Sequence, residues 1–240
     1  MDAYEVWENE IRSHRAGTFP TDILKMIERT LPRGLLKSAE TGCGKSTILL
    51  SNLSEHHTVF CLDDQSYGRE SSVNFFRCCP LTREDRIEVV FGPTQMTLPR
   101  YAHTNRYDFV LLDGPHGWPF PELEYYFFYP HIQQGGLLVL DDCQIPTIGR
   151  LADILAEDPM WRLEGFISTT GLFRRTDAPL FDPFDDGWWK QPYNRRRISP
   201  NSNFYLGDRP PMDMVSGLQL DLSLNAGAVT EKKENKTPDE

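Results

Sequence analysis

The feature that most constrains this fold is a set of short apolar runs, most of them ending at an acid. Thr58–Leu62 runs into Asp63-Asp64, Phe109–Leu112 into Asp113, and Leu137–Leu140, led by Gly135-Gly136, into Asp141-Asp142. Ile87–Phe91 ends instead at the Gly92-Pro93 turn, and Leu35–Ala39 runs into Glu40, although Lys37 and Ser38 make it a weak strand on propensity. Helical spacing fills the intervals, over Asp22–Leu31 closed by Pro32, Ser46–Leu53, Ser71–Phe76, Pro121–Tyr129 and Ile148–Glu157, the last with Thr147 as its expected N-cap. Leu163–Ser168 and Leu172–Arg174 read as closing strands, and Tyr4–His14 as a first short helix. Strands alternating with helices predict an α/β fold, a Rossmann-like mainly parallel sheet with helices on both faces and a short N-terminal helical extension. Near-continuous apolar strands fit burial on both faces. Such sheets bind ligands beyond the carboxyl ends of their strands, where these acids lie.

The expected organisation has four parts. Residues 1–33 form the helical extension and 34–176 the Rossmann-like cofactor-binding domain. Residues 177–224 are an irregular segment, rich in aromatic residues and arginine, that packs on the core, and 225–240 a disordered tail. A chain of 240 residues holds one such domain with additions. Its net charge of −10 sets the surface against phosphate backbones, so a general nucleic-acid role is not expected. The five cysteines show neither zinc-ligand spacing nor a secreted disulfide framework, and most, lying next to apolar residues, are expected to be small buried hydrophobes. The N-terminus lacks the build of a signal peptide, and no apolar run reaches the length of a membrane span. A cytoplasmic protein without membrane attachment is the expectation.

Ala39-Glu40-Thr41-Gly42-Cys43-Gly44-Lys45-Ser46-Thr47 admits two readings. Its Gly44-Lys45-Ser46 ending is that of a phosphate-binding P-loop, the mark of an NTPase or kinase, with Asp113 or Asp141 available as the magnesium acid. That pattern wants glycine where Ala39 stands, and Glu40 would put a carboxylate inside an anion cradle. Read from Glu40, the loop is an acid, two alternating glycines and a small residue opening a helix. Glu40 can then take a cationic amino-acid group, while Gly42 and Gly44 let the backbone approach a cofactor closely. Asp63, 19 residues after Gly44 and at the next strand end, is placed to bind ribose hydroxyls. Lys45 becomes a solvated residue of the first helical turn.

With Glu40–Thr47, Asp63, Val110-Leu111-Leu112-Asp113-Gly114-Pro115-His116 and Gly135–Asp142 in this order, the chain resembles class I S-adenosylmethionine-dependent methyltransferases over residues 34 to 175. The wording is most similar to the metal-dependent small-molecule O-methyltransferase branch that includes macrolide-sugar enzymes. Ser46 takes the place of the usual third glycine and is small enough for close helix–strand packing. The resemblance implies S-adenosyl-L-methionine held by Glu40, Gly42, Gly44, Ser46, Asp63 and Asp113, and a small-molecule hydroxyl as methyl acceptor.

Asp113, Asp141 and Asp142 would meet at the sheet's mouth if their strands are neighbours. Close carboxylates repel unless neutralised, and hard oxygen ligands suit Mg²⁺. The resemblance places metal ligands at these three residues; their alternative role is to cap loops or contact the cofactor. His116, three residues after Asp113, is the candidate general base, in a position where similar enzymes use a histidine. Trp118, Phe120, Tyr125, Tyr126 and Trp188-Trp189 could stack on an acceptor or simply pack, and Arg195-Arg196-Arg197 could meet an anionic one or be a solvated face. Besides the NTPase, a non-catalytic cofactor-binding protein of the same fold and a hydroxylase-like branch sharing the metal site stay open.

Overall fold

In a computed structural model, residues 20–31, 34–103, 106–181 and 187–197 are described. The expected helix at Tyr4–His14 and the tail from residue 225 lie outside them. The chain divides into two compact units, Met1–Phe181 and Asp182–Glu240.

Among the described residues, the first unit is built on seven strands: β1 (Leu35–Thr41), β2 (Ser54–Cys61), β3 (Ile87–Phe91), β4 (Tyr107–Leu112), β5 (Ile132–Leu140), β6 (Trp161–Ile167) and β7 (Thr170–Arg175). Its α-helices among the described residues are α1 (Thr21–Thr30), α2 (Lys45–Leu53), α3 (Ser72–Arg77), α4 (Thr94–Thr97), α5 (Phe120–Phe128) and α6 (Pro146–Glu157). The strand order is β3-β2-β1-β4-β5-β7-β6. All neighbours pair in parallel except the β5–β7 and β7–β6 pairs, which are antiparallel. The order reverses between β1 and β4, which opens a crevice there.

Successive strand residues face opposite sides, so each apolar run feeds two cores. Leu35, Val59, Phe109, Leu111, Leu137 and Val139 meet α1–α3 through Ile23, Ile27, Ile48, Leu50 and Phe76. Phe60, Val110, Leu112, Leu138 and Leu140 meet α5 and α6 through Phe128, Ile148, Leu151 and Leu155. Burying such side chains contributes roughly 1.5–3 kcal/mol each. This two-sided burial makes the runs continuous in sequence.

Two expectations change. Thr147 is not the cap of α6: Ile145 precedes that helix, and the Thr147 hydroxyl donates to the His116 carbonyl. Of the cysteines only Cys61 is buried; Cys43, Cys79 and Cys143 are half-buried and Cys78 is exposed. In the second unit, the described residues hold a 3₁₀ turn at Trp188–Lys190 and α7 (Pro192–Arg197). There the Trp188 and Trp189 rings meet edge to face at 5.9 Å, and the Arg197 guanidinium lies 3.7 Å over the Tyr193 ring.

Candidate active site

Parallel register sets three strand ends level: Thr41 pairs with Leu112, and Leu112 with Leu140. The residues that follow, Gly42, Asp113 and Asp141, therefore emerge together at the crevice.

Gly42 has φ +86° and its N–H donates to the Phe60 carbonyl at 2.9 Å. A Cβ on Gly42 would overlap the Asp113 carbonyl oxygen, so only glycine allows the two loops this close. The Gly44 N–H donates to Thr47 Oγ1 at 2.9 Å, opening α2, and Ser46 is buried in its first turn. Beneath the loop Glu40 is wholly buried. Its Oε1 accepts from the Thr47 hydroxyl and lies 3.2 Å from His57 Nε2, while Oε2 has no hydrogen-bond partner. His57 Nδ1 is 2.8 Å from Ser38 Oγ, itself 2.6 Å from Ser54 Oγ. The polar residues that weaken β1 and β2 as strands thus form one buried chain that holds Glu40. A buried carboxylate below the loop is the wrong charge for a phosphate cradle. Lys45 is half-buried, and burial lowers its pKa.

Asp63 lies two residues beyond β2 and is exposed, its Oδ1 accepting from the Gln65 side chain at 2.9 Å. Asp64 is engaged elsewhere: it accepts from Ser71 Oγ at 2.6 Å and from the Ser72 and Val73 N–H groups at 2.6 and 3.1 Å at the start of α3. Those donors hold its pKa below the usual range, against its burial. Of this acidic pair, Asp63 is the exposed one.

The three aspartates do not converge as a set. His116 Nε2 lies 3.7 Å from Asp113 Oδ1 and 3.4 Å from Asp142 Oδ2. Among the described residues, Asp113, His116 and Asp142 form a group whose ligand atoms lie within 4.8 Å of one another, a spacing that could hold a metal ion. Asp141 stands outside it, buried, with Oδ1 accepting from Thr170 Oγ1 at 2.5 Å. Side-chain alternation separates Asp141 from Asp142, and Asp142 turns further with φ +55°. Burial, reinforced by Asp141 and Glu40, pushes the Asp113 carboxyl up to about 7, with His116 opposing. Asp113, with Asp142 and Asp141 behind it, raises the His116 pKa against burial. Burial also raises Asp141.

One residue at the site was not singled out in the sequence. Glu124, in the aromatic helix α5, is 1% exposed. Its Oε2 accepts from Thr41 Oγ1 at 2.7 Å, and Oε1 packs so closely on Gly114 that no Cβ would fit there. Burial pushes its carboxyl up to about 7, opposed by the Thr41 and Thr94 hydroxyls. An acid amid Leu123, Tyr125 and Phe128 was the signal available. Of the flagged aromatics, Tyr125 accepts from Trp161 Nε1 at 3.0 Å and is packing, whereas Trp118 is exposed two residues after His116.

Residues 39–143 match a family model described as a methyltransferase domain. Over those residues, from β1 through the loop after β5, the chain is similar to methyltransferase domains. Its fold is similar to that of an O-methyltransferase from Bacillus cereus solved with SAH, at 15% identity and a TM-score of 0.52, over 72% of this chain and 89% of that one. It is similar also to a Klebsiella pneumoniae protein assigned as an O-methyltransferase, at 13% identity and TM-score 0.56, over 73% and 91%. A cofactor-bound protein from MTB aligns at 17% identity and TM-score 0.54, over 73% and 89%. No curated protein sequence matches the chain.

Proposed function

We propose that the enzyme methylates a hydroxyl of a small molecule, with a divalent cation such as Mg²⁺ at the Asp113–Asp142 mouth. The observation that carries this reading is His116 Nε2, within 3.4–3.7 Å of two carboxylates at the strand ends beside the glycine loop.

The residues present fit both groups. Glu40 Oε2, buried without a partner, suits a cationic amino group, and Asp63 a ribose. Gly42 and Gly44 leave the backbone open to close approach. S-adenosylmethionine supplies an electrophilic methyl: an oxygen–carbon bond forms as the sulfur–carbon bond breaks. Asp113 and Asp142 would hold the cation, which lowers the pKa of a bound hydroxyl. Asp141, tied to Thr170, acts from behind by adding negative charge. His116 takes the hydroxyl proton at Nε2, and Asp113 and Asp142 favour the imidazolium that results. Positioning supplies much of the remaining acceleration. Trp118 offers a face for the acceptor.

The acidic surface favours a small molecule over a nucleic acid as acceptor. Five free thiols suit a reducing compartment, and we place the enzyme in the cytoplasm. No described helix is long and apolar enough to cross a membrane.

The test is thermal stability with S-adenosylhomocysteine or ATP, each with and without Mg²⁺. A ligand at a hundred times its Kd adds about 2.7 kcal/mol. Stabilisation by S-adenosylhomocysteine, increased by Mg²⁺, is expected. Stabilisation by ATP alone would restore the phosphate reading of the loop.

A further inference from the structure

We propose that Glu124 is a positioning residue that sets the cofactor loop through Thr41, from a helix that supplies none of the loop's residues. Thr41 closes β1 and leads into Gly42. Its hydroxyl has one hydrogen, given to Glu124 Oε2 at 2.7 Å, and it accepts the Asp113 N–H at 3.1 Å. Glu124 therefore fixes which way the Thr41 oxygen points, and with it the tie from β1 to the loop after β4. The contact is tight on both sides: Gly114 has no room for a Cβ against Glu124, nor Gly42 against the Asp113 carbonyl. The loops after β1 and β4 are thus keyed together beside one buried carboxyl.

The carboxyl is a poor choice for stability alone. Glu124 is almost wholly buried, and taking a carboxyl out of water has a cost an apolar side chain would avoid. Its position explains its retention: it bridges the loop that approaches the cofactor and the loop that carries Asp113 and His116. The proposal rests on the S-adenosylmethionine reading of the glycine loop and is independent of any metal.

The test measures S-adenosylhomocysteine affinity by calorimetry, without metal, on the full-length wild type and on Glu124→Gln, Glu124→Ala, Thr41→Val and the Glu124→Ala/Thr41→Val double variant. Loss of one buried hydrogen bond corresponds to about tenfold in affinity, so Glu124→Ala and Thr41→Val should each weaken binding about tenfold. The double variant should be no weaker than the worse single variant, because both remove the same bond. Glu124→Gln keeps an acceptor for Thr41 and should stay within about threefold of wild type. A purely structural role would lower the melting temperature and leave the folded protein's affinity unchanged. If Glu124→Ala does not fold, Thr41→Val decides alone. Wild-type affinity in Thr41→Val, or single effects that multiply in the double variant, overturns the proposal. A wild type that binds no S-adenosylhomocysteine overturns the cofactor reading and this proposal with it, whereas tight wild-type binding with unaffected variants overturns the proposal alone.

Discussion

At the scale of single residues, the site is a set of acids sorted by their neighbours. Asp64 serves a helix start, Asp141 serves Thr170, and Glu40 serves His57 and Thr47 on one oxygen only. Asp113, Asp142 and His116 keep their groups turned toward one another. His116→Ala should lower methyl transfer by roughly 10²–10⁴-fold and leave S-adenosylhomocysteine affinity intact, measured by single-turnover kinetics and calorimetry. Equal loss of both would assign His116 to cofactor binding instead. Glu124 makes a pH prediction. Its carboxyl, normally near 4.5, is raised to about 7 in the folded protein. The native state then holds a proton that the unfolded chain has released, so this residue's contribution is full below about pH 4.5 and lost as pH rises through about 7. Glu124→Gln should flatten that part of the stability curve, read by urea denaturation across the window. An unchanged slope would show that the carboxyl titrates normally.

At the scale of elements, legibility follows burial. β4 and the end of β5 are apolar on both faces and stand out in the sequence as Phe109–Leu112 and Leu137–Leu140. The first half of β2, Ser54-Glu55-His56-His57, does not, because His57 and Ser54 are satisfied by Ser38 across the β1–β2 pair. A local scale sees two polar residues where the sheet sees a closed hydrogen-bond chain. Leu111, central in β4 and fully buried, tests the two-sided packing. Leu111→Ala should cost about 2–5 kcal/mol, seen as a lower urea midpoint at unchanged slope. A cost under about 1 kcal/mol would mean that the α1–α3 side of the sheet collapses freely around the gap.

At the scale of the whole sheet unit, Arg174 of β7 closes the antiparallel edge. It donates to both oxygens of Glu164 at 2.8–2.9 Å, to the Gly135 carbonyl at 3.0 Å and to the Thr30 carbonyl at 3.2 Å, joining β6, β7, β5 and α1. Arg174, with Arg162, depresses the Glu164 carboxyl from 4.5 to about 2. The stability this gives is present above about pH 4.5 and lost as pH falls toward about 2. Glu164→Gln should make the acid limb of the stability curve shallower, and circular dichroism from pH 6 to 2 measures it. An identical acid limb would show the pair to be screened by solvent.

The sequence by itself determined the α/β class, the succession of buried strands and the loop of an acid and two glycines, because two-sided burial and close backbone approach are written in local residue types. It also put Glu40, Asp113 and His116 near the right end of the sheet, since that follows from where strands stop. Only the tertiary structure decided which acids face one another. Strand order sets β1 beside β4, side-chain alternation sends Asp141 to Thr170 and leaves Asp142 near His116, and α5 brings Glu124 under Thr41 from 83 residues away. Those pairings depend on register and helix packing, which contacts distant in the chain determine and no local pattern encodes.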